Sequence, residues 1–174
     1  TMLWRLEGSP AADHSMTFTD VALDSWYTEA VRWAASNGIV TGVSEAVFDP
    51  DRAITREEFA TVLYRCVQGK GLGFTGAWAF PLDYADASEV SEWAYEPFCW
   101  MTMAGIITGN DEGLLLPKAG ATRAEAAAIL MRFSFIYKET VTIRVNIEGL
   151  NGQIEYAEAG QELEFSDEYP TQSI

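Results

Sequence analysis

The chain has 174 residues, 48% hydrophobic and 13% aromatic, enough apolar material to fill a core and to exclude wholesale disorder. Eleven Lys and Arg stand against 26 Asp and Glu, for a formal charge of −15, so there is no basic stripe for nucleic acid or for an anionic membrane surface. The single histidine, His14 in a polar linker, and two cysteines without CxxC spacing, Cys66 and Cys99, provide neither a metal site nor a histidine-activated nucleophile, and nothing in the chain calls for a cofactor.

Thr1 to Gly8 reads as the last turns of a helix, so the chain is expected to be a piece of something longer. After a linker from Glu7 to Ser15 comes Phe18-Thr19-Asp20-Val21 and then Trp26. Asp24 is expected to cap a helix over 24–37 that carries Trp26, Ala30, Val31, Trp33 and Ala34 on one stripe, with Gly38 stopping it in the left-handed region. Gly42 to Pro50 is a compact loop from which Phe48 should plug the core. Thr55-x-x-Glu58 is a capping box opening a helix over 55–67, with Ile54 and Phe59 at the staple positions and Phe59, Val62, Leu63 and Cys66 facing inward. Cys66 and Cys99 read as buried small side chains, with a disulfide as the alternative.

A glycine-rich linker from Gln68 to Leu82 follows, and its Phe74, Trp78 and Phe80 suggest that it packs onto the body. The pattern then recurs: Tyr84-Ala85-Asp86-Ala87, Trp93, Ala104-Gly105-Ile106-Ile107-Thr108-Gly109, Leu115-Leu116-Pro117 and Ala121-Thr122-Arg123-Ala124-Glu125. From the tryptophan onward the offset is 67 residues; ahead of it, 66. The repeat predicts helices over 91–104 and 122–135, the first loosened in its opening turn by Pro97 or starting near Glu96, and a loop in which Leu116 plugs the core. Thr1 to Arg5 matches Thr61 to Arg65 and reads as the end of an earlier, truncated copy. Val141, Ile143, Val145 and Ile147 alternate with polar residues, as in a half-buried strand, and Ile154, Tyr156, Leu163 and Phe165 suggest two more.

F-x-D-V, a following Trp, G-I-V-T-G, F-D-P and I-T-R-E-E-F, recurring in order, resemble the S-layer homology (SLH) motif of bacterial surface proteins. The resemblance covers Phe18 to Arg65, Tyr84 to Arg132 and the stub Thr1 to Arg5. It implies a mainly α fold of tandem helix-loop-helix repeats packed as a pseudo-threefold helical prism, here with a small C-terminal β segment. The implied organisation is a truncated first motif and linker over 1–15, motifs over 16–68 and 84–135, a Gly/aromatic linker over 69–83, and a β-strand segment over 136–174 that either packs on the repeats or begins another domain.

The resemblance further implies a non-enzymatic, extracellular module that anchors an exported protein to the bacterial cell wall or S-layer by binding secondary cell-wall polysaccharide, often pyruvylated, in grooves between motifs. By position, the family's groove arginine falls at Arg56 and Arg123, its early Asp and Trp at Asp20, Trp26, Asp86 and Trp93, and the glycine after the first helix at Gly42 and Gly109. Thr55, Glu58, Thr122 and Glu125 read as caps. A carboxylate suits a guanidinium fork, and a sugar ring suits a flat indole. The alternative is a structural or protein-interaction module of a surface assembly with a degenerate groove; a larger exported enzyme could carry the same anchor. Further expected partners are the upstream part of the first motif or a second copy of the chain.

Overall fold

A computed structural model of the chain describes residues 1–12, 15–76 and 80–139. The chain divides into Thr1–Tyr137 and Lys138–Ile174. The expected strands, His14 and Trp78 lie outside the described residues.

Five α-helices are described: α1 (Met2–Leu6), α2 (Thr28–Ser36), α3 (Arg56–Gly69), α4 (Glu92–Met103) and α5 (Arg123–Glu139), with a 3-10 turn at Ala87–Glu89. Among the described residues there is no sheet, only isolated bridges between Ser44 and Val47 and between Thr55 and Gly120. No described helix is long and apolar enough to cross a membrane.

The helix ends follow from local chemistry. At α3 the Thr55 hydroxyl accepts from the Glu58 amide at 3.3 Å, and the Glu58 carboxylate accepts from the Thr55 amide at 2.8 Å. Thr122 and Glu125 repeat the box at α5, at 3.2 and 2.9 Å. These boxes satisfy amides that a helix start leaves without partners. α2 and α4 close alike at the other end. Gly38 (φ +67°) and Gly105 (φ +68°) turn left-handed, and the Ile39 and Ile106 amides bond back to Ala34 and Met101 at 2.8 and 2.9 Å.

Three expectations are corrected. Asp24 does not cap α2: the helix begins at Thr28, after Tyr27. The Thr28 hydroxyl donates to the Ala22 carbonyl at 2.6 Å and the Thr28 amide to Ser25 at 3.1 Å, closing a turn where the first helical turn was expected. Trp26 therefore precedes the helix, 75% exposed, and is not on its apolar stripe. α4 starts at Glu92 and runs continuously through Pro97. Its first turn is tightened, not loosened, by an Ala94 N–H to Ser91 carbonyl bond of 2.9 Å, and the ring of Pro97 is buried in the core. Leu116 does not plug the core; it is exposed, and the fully buried Leu115, at the 67-residue offset from Phe48, fills that place.

One core spans both repeats. Leu63 and Val67 of α3, Phe98 and Met101 of α4, Phe133 of α5, and Ile106 and Leu115 from the intervening loop are almost wholly buried. Each such side chain contributes about 1.5–3 kcal/mol of transfer free energy. Leu3, Trp4 and Leu6 of α1 pack half-buried against this core, while Phe18, Val21 and Val31 form a smaller cluster backed by Phe48. Cys66 and Cys99 are free thiols, both buried, and burial pushes the Cys66 thiol up to about 12.

Polar pins join the repeats as well. The buried Glu57 carboxylate accepts from the Ser91 amide at 3.1 Å, the Ser91 hydroxyl at 3.2 Å and the Lys118 ammonium at 2.7 Å. The Tyr64 hydroxyl donates to Glu96 at 2.6 Å. Removing either carboxylate would leave a part-buried donor of Ser91 or the buried Tyr64 without its acceptor, and the two pins together hold α3 against α4.

Candidate functional site

The loops that shape the site are clamped by two carboxylates. Asp20 accepts from the amides of Phe48 (2.9 Å) and Asp49 (2.6 Å). Asp86 accepts from Leu115 (2.8 Å) and Leu116 (2.7 Å). In each pair the second acceptor holds a residue in the left-handed region, Asp49 at φ +59° and Leu116 at φ +52°. The Phe48 amide, and then that of Asp49, keep the Asp20 carboxyl below the usual carboxylate range.

Gly42 and Gly109 are required for both backbone and space. Their φ values are +71° and +70°. A Cβ on Gly42 would lie 2.5 Å from the Val47 carbonyl and 2.6 Å from the Phe18 ring; one on Gly109 would lie 2.8 Å from the Tyr84 ring. Glycine therefore lets the ring of each early aromatic lie against the turn.

Two clefts open beside these turns. The first, of about 510 Å³, is lined among others by Gly42, Asp49, Arg52, Glu58, Arg65 and Trp93. The second, of about 170 Å³, is lined among others by Arg56, Gly109, Asn110, Glu125 and Arg132. Gly42 and Gly109, Glu58 and Glu125, and Arg65 and Arg132 are each 67 residues apart, so the clefts are one feature made twice. Each also receives a side chain from the other repeat: Trp93 enters the first and Arg56 the second.

The electrostatics differ between them. Arg56 is buried; its Nε donates to the Leu115 carbonyl at 2.7 Å and its Nη1 to Glu125 at 2.7 Å. In the wider cleft Arg52 grips Glu58 with two bonds, of 2.8 and 3.1 Å. Burial pushes the Glu58 carboxyl up, but Arg52 and the amide and hydroxyl of Thr55 outweigh it and hold the group below its usual range. The Thr122 amide, then its hydroxyl, do the same for Glu125.

The sequence-selected residues are thus divided. Trp93, Gly42 and Glu58 meet in the wider cleft, and Arg56, Gly109 and Glu125 in the narrower. Asp20 and Asp86 act behind them as loop clamps. Trp26 and Arg123 are exposed and line neither cleft. Sequence reasoning missed Arg52, Arg65 and Arg132. The last two carried a signal, since both close the repeated helix at the same offset.

A repeated two-helix unit with a cleft at each inter-motif contact defines the class as a modular binding domain. The family model for the S-layer homology domain matches residues 17–60 and 83–127, and the chain belongs to that family. It is 33% identical over 124 residues to the surface-layer 125 kDa protein of Lysinibacillus sphaericus, covering 70% of this chain and 10% of that one. It is 30% identical over 135 residues to an amylopullulanase of Thermoanaerobacterium thermosulfurigenes, covering 74% of this chain and 7% of the enzyme. It is 29% identical over 126 residues to the cellulosome-anchoring protein of Acetivibrio thermocellus, covering 72% and 28%. The chain thus spans a small part of each relative. The S-layer homology domain is a non-catalytic anchoring module that binds cell-wall polysaccharide, and some relatives are enzymes carrying it as a separate part. The family and its members locate the chain outside the cell, at the cell wall or S-layer.

Proposed function

We propose that the chain anchors an exported protein by holding a secondary cell-wall polysaccharide, pyruvylated on its sugars, in the two inter-motif clefts. The observation that carries the reading is the position of Trp93, which is 53% exposed yet lines the wider cleft beside Arg52 and Arg65. An indole in that place offers a sugar ring an apolar face, while the guanidinium groups offer its acidic substituent charge-assisted bonds. In this reading Arg56 adds a cation to the narrower cleft, Gly42 and Gly109 allow close approach of the ligand to the turns, and Asp20 and Asp86 hold those turns. Trp26 and Arg123 play the same parts in a third cleft, completed by further motif sequence in a pseudo-threefold prism whose first motif ends in 1–15. The chain's net charge of −15 is compatible with an anionic ligand, because exposed charges beyond about 8 Å are screened at physiological salt.

The test is retention on purified wall sacculi before and after removal of the secondary polymer. Wild-type chain should bind only the untreated wall, and Trp93→Ala should bind it more weakly with an unchanged melting temperature. Equal retention on stripped and untreated wall would refute the reading.

A second reading, a protein-interaction module within a surface assembly, is supported by a separate observation. Met131 and Phe135, one turn apart on α5, are 56% and 60% exposed. An apolar pair on an open helix face suits a protein partner more than a polysaccharide.

A further inference from the structure

α3 and α5 are the same helix of two repeats, yet one face differs in chemistry between them. On α3 that face carries Glu57, Ala60 and Tyr64, which are 4%, 0% and 3% exposed, and it packs on α4. At the 67-residue offset α5 carries Ala124, Ala127 and Met131, all exposed. Only the α3 face holds a carboxylate. Glu57 accepts from the Lys118 ammonium at 2.7 and 2.9 Å and from the amide and hydroxyl of Ser91, the N-cap of α4. Lys118 also bonds the Ser91 hydroxyl, which closes the node. The repeat of α2 and α3 offers no such match for a carboxylate. Asp51 stands at the place of Lys118, exposed and in no ion pair among the described residues. In addition, α2 begins at Thr28, the counterpart of Tyr95, and so starts later than α4 does.

We propose that Glu57 selects the partner of α3: it admits the repeat of α4 and α5, through Lys118 and Ser91, and rejects the repeat of α2 and α3 from a second copy of the chain. The physical reason is the cost of a buried charge. A carboxylate that is almost wholly buried needs a cation or donors against it. Docked on α4, Glu57 has both. Docked on the other repeat, it would meet Asp51, a second carboxylate, away from bulk water, where like charges repel strongly. The selection matters because the two repeats share their apolar pattern, and like elements exchange readily between copies of a chain. A single polar group in an apolar seam is enough to fix pairing. The choice also reaches the wider cleft. Trp93 lies just beyond Ser91 at the start of α4, so the pairing that Glu57 selects is the one that brings an indole to that cleft.

The experiment is refolding of the full chain from urea, read by sedimentation velocity and by carbodiimide cross-linking with peptide mapping, which joins a lysine to a carboxylate in contact with it. In the wild type Glu57 should join Lys118 within one chain. Asp51→Lys leaves every native contact of Glu57 in place and gives the other repeat the cation it lacks. It should raise the dimer fraction by about threefold or more over wild type, with a new cross-link from position 51 of one chain to Glu57 of the other. Glu45→Lys, the same change of charge in the turn at Ser44 and Val47, should leave the dimer fraction unchanged. Lys118→Asp should lower the melting temperature, and Glu57→Lys with Lys118→Asp should restore it. The restored pair should nevertheless raise the dimer fraction, because Asp51 then matches the reversed charge as well. A role in stability alone gives the wild-type dimer fraction for both Asp51→Lys and the reversed pair. The proposal is overturned if Asp51→Lys refolds with the wild-type dimer fraction and cross-links Glu57 only to Lys118. That variant is also the one to read if the Glu57 variants do not fold.

Discussion

Arg56 and Glu125, 69 residues apart, meet at 2.7 Å, and that ion pair ties the start of α3 to the start of α5. Glu125 serves two roles at once. Its Oε2 accepts from the Thr122 amide in the capping box, and its Oε1 accepts from Arg56. The guanidinium is 8% exposed and also reaches the Leu115 carbonyl, so the start of α3 is fixed to the loop of the other repeat as well as to its helix.

Arg56→Ala should therefore destabilise the module by about 1–3 kcal/mol, because a buried carbonyl and a half-exposed carboxylate both lose a charged donor. Arg56→Lys should recover only part, since a single ammonium cannot serve both acceptors with the same geometry. Urea unfolding followed by circular dichroism measures this. Unchanged midpoints for both variants would show that the pair is merely superficial.

Three glycines with the same left-handed backbone should separate by space alone. Gly38→Ala meets open surroundings and should lose about 1 kcal/mol from its φ of +67°. Gly42→Ala must in addition push aside the Phe18 ring and the Val47 carbonyl, and Gly109→Ala the Tyr84 ring. Both should be worse than Gly38→Ala by about 1 kcal/mol or more. Equal melting temperatures across the three would contradict the packing argument.

Leu116 offers a stabilising change. It holds φ +52° and is 38% exposed, and asparagine tolerates that backbone better than leucine. Leu116→Asn should raise stability by roughly 0.5–1 kcal/mol, with the Asp86 clamp untouched. A lowered melting temperature would mean that the leucine side chain contributes packing that outweighs its backbone strain.

Acid should weaken the fold through the capping carboxylates. Glu58 and Glu125 have folded-state values held below the usual one, so their contribution is complete above the unfolded value, near pH 4.3, and is lost as pH falls through the folded value. Asp20 adds to the same trend. Glu58→Gln with Glu125→Gln keeps an acceptor in each box but removes the titration. Between pH 5 and pH 3 the double variant should lose less stability than wild type in parallel thermal melts. Parallel slopes would rule out these two groups as the acid-sensitive ones.

How much of the molecule could be read in advance depends on the range of the interactions involved. The 67-residue recurrence that fixes the family is read by laying the chain against itself, and the elements that recur, the capping boxes of Thr55 and Glu58 and of Thr122 and Glu125 and the stops at Gly38 and Gly105, are local patterns. Each depends on residues within one or two turns, so sequence alone determined them, and with them the mainly helical fold. The start of α2 was misplaced because the Thr28 hydroxyl takes the Ala22 carbonyl, a competing local bond that Asp24 conceals. The site was less legible. A tryptophan at Trp26 and another at Trp93 look alike in sequence, yet only Trp93 has the other repeat beside it to form a cleft. Arg56 and Arg123 stand in the same Thr-Arg-x-Glu pattern, and among the described residues only Arg56 finds a glutamate and a carbonyl from the other repeat. Arg65 and Arg132 look like solvated helix ends until the turns at Gly42 and Gly109 pack beside them. Arg52 is neutralised by Glu58 only six residues away, but Arg56 is neutralised by contacts about 60 to 70 residues apart in the chain, and those only the tertiary structure, by bringing two copies of one local pattern face to face, decided.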